Sequence, residues 1–161
     1  MYIYIMEFSP NSRVWIYQSN RPFAQEEQNK IEQTLAEFTT QWQAHGAQLK
    51  AKAEIRYNRF IILMVDEVQA NASGCSIDRS AGLIRNLEAE YKVSLFDRFN
   101  MAYKTNKEVV SCNRDEFEVL LNNGIIKPET IVFNNMVHTK AELDTNWEIP
   151  FNKSWHARVF A

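Results

Sequence analysis

Little in this chain supports the usual devices of small proteins. Two cysteines, Cys75 and Cys112, in 161 residues are too few for a disulfide framework. Four glycines and four prolines, scattered along the chain, leave no linker and no low-complexity segment. No apolar run approaches the roughly eighteen residues that a membrane-spanning helix needs, so no membrane partner is expected. The run Tyr2-Ile3-Tyr4-Ile5-Met6 is short for a secretory signal and has no basic lead, which makes a cytoplasmic location the expectation. A net charge of −2 shows no basic stripe of the kind nucleic-acid binding requires, so no RNA or DNA partner is expected. His45, His138 and His156 lie far from one another and from the cysteines, without ligand spacing, so no metal site is expected. None of Gly46, Gly74, Gly82 and Gly124 opens a Gly-x-x-x-x-Gly-Lys-Ser/Thr nucleotide loop, and no cofactor is expected.

What the chain does have is apolar surface. Hydrophobic residues make up 45% of it, enough for a sizeable core in one domain over 1–161. The densest stretch is Phe60-Ile61-Ile62-Leu63-Met64-Val65, whose lack of alternation predicts a strand buried on both faces in the middle of a sheet. Asp66 and Glu67 end it. The small-residue loop 70–74 lets the backbone turn, and a helix over 77–91 follows, capped by Ser76 or Asp78. Upstream, β-branched and aromatic residues predict strands at 2–8 and 13–18. Ile31, Leu35, Phe38, Trp42 and His45 recur at helical steps, which predicts a first helix between Pro22 and Gly46 with those five on its buried stripe. More polar strands are expected at 50–57, 101–104 and 109–112.

The order strand, helix, strand, strand, helix, strand over 13–112 predicts an α+β fold, a ferredoxin-like βαββαβ sandwich. Residues 113–161 form an irregular α/β extension, in which Asn113 with Glu116 and Thr139 with Glu142 are capping-box patterns for short helices. Both helices of such a sandwich pack on one face, yet 60–65 cannot leave its other face in water. The extension is expected to cover it through Trp147, Phe151, Trp155 and Phe160. A second subunit is the alternative cover, so the chain is expected as a monomer or a homodimer.

In the expected topology the first strand runs parallel to 60–65, and the C-terminal ends of both emerge together. Ser19, Asn20 and Arg21 then meet Asp66, Glu67, Ser76, Asp78 and Arg79 at a corner where two helices begin. Helix N-termini and two guanidinium groups favour an anion, which makes these eight the candidate binding set for a small anionic or polar ligand. The same charges can instead form an ion-pair network that only holds the fold. Cys75, at the helix start beside Arg79, is the candidate nucleophile. Its candidate base is His156, brought near if the tail folds back. Cys75 and Arg79 stand too close in sequence to wrap a phosphate as tyrosine phosphatases do, which excludes that activity.

The runs SRVWIYQSNRPF, WQAHGAQL, SGCSIDRS, VFNNMVHTKAEL and SWHARVF together resemble a small bacterial family of similar length that carries the label "ABC transporter ATPase". The resemblance spans nearly the whole chain and implies that the polar cluster and the tail belong to one design. It brings no catalytic signature, and the chain has neither a P-loop nor an LSGGQ-like motif. The expected function is a soluble binding module with a small anionic or polar ligand site. The alternatives are a thiol-dependent enzyme using Cys75 with His156, and a structural or oligomer-forming protein.

Overall fold

The computed structural model describes residues 7–160, so the strand expected at 2–8 lies almost wholly outside the described residues. Strand β1 (Arg13–Gln18) is followed by helix α1 (Gln25–Gln41), the short strands β2 (Gln43–Ala44) and β3 (Ala47–Gln48), and the hairpin of β4 (Lys50–Arg56) and β5 (Phe60–Asp66). Helix α2 (Gly74–Tyr91) leads into β6 (Met101–Lys104), β7 (Val109–Cys112) and α3 (Arg114–Asn122). The chain closes with β8 (Ile131–Phe133), α4 (Lys140–Asn146), β9 (Glu148–Pro150), a 3-10 turn at Phe151–Lys153 and α5 (His156–Val159).

Helix α1 buries Ile31, Leu35 and Thr39, but stops before the end of the expected stripe. Trp42 turns extended and buries its ring completely, its Nε1–H donating to the Ser76 carbonyl at 2.8 Å. His45 is therefore exposed rather than buried on a helix. It shares left-handed backbone with Gly46, φ 52° and 79°, in the two-residue turn of the β2–β3 hairpin. That handedness matches the twist of a tight hairpin, and glycine adopts it without steric cost. Helix α2 begins three residues earlier than expected, because Ser73 and Ser76 form a reciprocal cap in which each side chain accepts from the other's backbone N–H. Neither Ser76 nor Asp78 is the cap residue.

The ferredoxin-like sheet is not formed. Strand β5 is central in a three-stranded sheet of order β1-β5-β4, but its pairing with β1 is antiparallel, Arg13 opposite Val65 and Gln18 opposite Phe60. Helix α1 carries the chain back so that β4 runs in the direction of β1, and the hairpin at Tyr57 and Asn58 then reverses it into β5. Strands β6 and β7 do not join this sheet. They belong to a second, four-stranded antiparallel sheet of order β7-β6-β8-β9.

Alternation along β5 sorts its side chains to two cores. Ile61 and Leu63 pack with Ile31, Leu35, Ile84 and Leu87 of the two long helices. Phe60, Ile62 and Met64 pack with Ala102, Phe133, Leu143 and Trp147. The molecule is thus layered helix, sheet, sheet, helix, and the second sheet covers the face that β5 cannot leave in water. Phe60, Phe133 and Trp147 meet at centroid distances of 4.8 to 5.0 Å, and burying each such ring contributes about 2 kcal/mol. Tyr57 adds its ring to this cluster from a left-handed turn, φ 55°, and its hydroxyl donates to Glu148. The expected cover forms only in part. Trp147 fills the role, whereas Phe151, Trp155 and Phe160 pack behind the second sheet against Phe117 and its neighbours.

Candidate functional site

Antiparallel pairing of β1 with β5 divides the expected site. The C-terminal end of β1 lies beside Phe60, while Asp66 stands at the opposite end of the strand pair, beside Arg13 and Lys50. Ser19, Asn20 and Arg21 are therefore not brought to Asp66, Glu67, Ser76, Asp78 and Arg79. At their own end they tie the fold together. The Ser19 N–H donates to the Arg59 carbonyl, and Asn20 exchanges hydrogen bonds with Ser94. Arg21 grips Glu27 through two bonds of 2.8 and 2.9 Å and donates to the Tyr91 carbonyl at the end of α2. Its hydrogen bond, with that of the Ala24 N–H, holds the Glu27 carboxyl down at about 2.

At the Asp66 end the hydrogen-bonded groups serve the fold in the same manner. The buried Asp66 carboxylate accepts from the N–H groups of Ser9 and Val68 and from Lys50. Burial pushes its proton affinity up, but those donors outweigh burial and hold it below the ordinary aspartate value. Glu67 accepts from the Ala72 N–H and closes the loop before α2. Ser76 is committed to the helix cap, while Asp78 and Arg79 are exposed and make no ion pair among the described residues.

Cys75 is exposed in the first turn of α2, and Cys112 is buried, its thiol pushed up to about 11 by burial and by Glu116. His156 is not near Cys75. It packs against Phe117 and Trp155 behind the second sheet, whereas α2 lies on the far face of the first, so two β-layers separate them. Burial lowers the His156 imidazole to about 4, and its Nδ1 lies 2.6 Å from the buried Ser154 hydroxyl. Among the described residues no group of three or more His, Cys, Asp or Glu could hold a metal ion.

A large cleft lies elsewhere, at the edge where the two sheets and the tail meet. This cleft, of about 1080 Å³, is built from the end of β1, the loop between α2 and β6, the turn after β8 and the segment around α5. Arg98, Arg114, Lys153 and Arg158 line it, and none is ion-paired among the described residues. Its two carboxylates are engaged: Asp97 accepts from the Phe99 N–H, and Glu142 faces His138 at 3.6 Å.

Its amides are directional. The Trp147 Nε1–H can only donate, and does so to Asn135 Oδ1 at 2.9 Å. Asn135 must then offer its amide N–H to Gln18 Oε1, at 2.7 Å. That leaves Gln18, only 5% exposed, with an Nε2 donor that has no partner. Asn100 Nδ2 and Trp155 Nε1 are buried and unpartnered as well. These three donors, all in cleft residues, are among five such buried side-chain atoms in the described residues. Unsatisfied buried groups cost about 1–3 kcal/mol each, and because these donors are closed even to water they lie behind the cleft wall rather than on it.

Sequence reasoning missed this cleft because its lining comes from segments far apart in the chain. The available signal was Phe96-Asp97-Arg98-Phe99, two phenylalanines in a polar loop that no core claims. No protein-family model, no curated protein and no solved structure matches this chain.

Proposed function

We propose that this protein is a binding module for a small anionic ligand, seated in the cleft between the end of β1, the 95–101 loop, the 134–136 turn and α5. The observation that carries the reading is charge. Arg98, Arg114, Lys153 and Arg158 line this cleft without an ion-pair partner among the described residues, against two carboxylates, Asp97 and Glu142. In a chain whose net charge is −2 this is a local inversion that favours anions where the field is focused. Charge-assisted hydrogen bonds to a carboxylate or phosphate are also the stronger kind.

Calorimetric titration with inorganic phosphate and octyl phosphate tests it. Binding that weakens as salt is raised is expected, together with its loss in the Arg98→Glu, Arg158→Glu double variant. No binding of either probe, or binding unaffected by the charge reversal, overturns the reading.

A further inference from the structure

We infer that the anion this cleft receives is carried on an apolar body, as in an alkyl or aryl phosphate or carboxylate. The inference rests on the anion-binding reading above and deepens it. Eight large hydrophobic residues are exposed among those described, and Phe96, Phe99, Met136 and Val159 all line the cleft, with Phe99 62% and Met136 72% exposed. An exposed Phe is unremarkable singly, but a cluster inside a concavity marks a place where apolar surface is to be covered.

The two phenylalanines are held there by local chemistry. Asp97 accepts from the Phe99 N–H in a side-chain turn, and Phe96 rests edge-on against Tyr17 at 5.3 Å, with Arg85 over its ring at 5.2 Å. A bare inorganic anion answers the four cations and leaves these four apolar side chains in water. A neutral apolar molecule covers the apolar side chains and leaves the cations without a counter-charge. Only a ligand with both parts answers both features. A volume of about 1080 Å³ is ample for such a molecule.

The test compares octyl phosphate, inorganic phosphate and octanol by calorimetry on the intact chain and two variants. Octyl phosphate is expected to bind at least about tenfold more tightly than inorganic phosphate, since burying only part of its chain supplies that factor. Phe99→Ser, at an exposed position, narrows the ratio. Val119→Ser, an exposed apolar site on α3 outside the cleft, leaves it unchanged. Equal affinity for the two phosphates overturns the apolar body and leaves the anion reading standing. Octanol binding as well as octyl phosphate overturns the anionic head, and with it the proposed function. Narrowing by Val119→Ser to the same degree as by Phe99→Ser shows non-specific adsorption and overturns the inference, and silence from all three probes overturns both.

Discussion

The two ends of the β1–β5 strand pair carry similar inventories of polar side chains and differ in what adjoins them. At the Asp66 end the carboxylate has three donors, Glu67 closes a loop and Ser73 with Ser76 caps a helix. At the Gln18 end Ser19, Asn20 and Arg21 are bonded in the same way, but the adjoining cleft presents Arg98, Arg114, Lys153 and Arg158 without an ion-pair partner among the described residues. What separates a structural cluster from a candidate site is thus whether its charges have partners.

The largest expected effect breaks the Asp66 network. Asp66→Ala leaves two backbone N–H groups and Lys50 without their acceptor and is expected to cost about 4 kcal/mol in urea unfolding. A loss under about 1 kcal/mol means the network is decorative. Next is His156, in the wall of the cleft. Burial holds its imidazole near 4 in the fold against an ordinary 6.5. As pH falls from about 6.5 to about 4 the unfolded chain takes up a proton that the folded chain refuses, so stability drains away across that window, on the order of 3 kcal/mol, and is fully present above it. Melting curves of the parent and of His156→Leu should differ in slope there, and identical slopes refute the assignment. A smaller change is expected from Ser73→Ala, which removes the cap of α2 and lowers stability by about 1 kcal/mol in the same assay. The smallest stability change belongs to the cleft: Arg98→Ala with Arg158→Ala should shift unfolding by no more than about 0.5 kcal/mol while weakening octyl phosphate binding. A large loss of stability without loss of binding reverses the contrast between the two ends.

Phe60 to Val65 was legible as the central strand because an unbroken apolar run has few other places to go. Its partner's direction was not, since the pattern of a strand says which faces are buried and nothing about which way its neighbour runs. That one choice moved Ser19 to Arg21 to the other end of the sheet. Helix α1 ends short of its apolar period because Trp42 falls on that period yet leaves the helix, a case of tertiary burial overriding periodicity. His45-Gly46 held the counter-signal, a dipeptide suited to left-handed backbone. The cleft was illegible because only the folded chain brings Gln18, Asn100 and Trp155 to one place.

Tyr57 links the stability of the two sheets. The β4–β5 hairpin is the most local pairing of the first sheet, and local pairings ordinarily close early. Its turn, however, places a tyrosine at φ 55°, a conformation that disfavours a side chain with a Cβ by about 1–2 kcal/mol. The compensating contacts, with Phe133, Trp147, Glu148 and Lys104, come chiefly from the second sheet and its approaches. The turn that closes this local hairpin is thereby stabilised by contacts from the second sheet, so loosening that sheet is expected to weaken the hairpin as well.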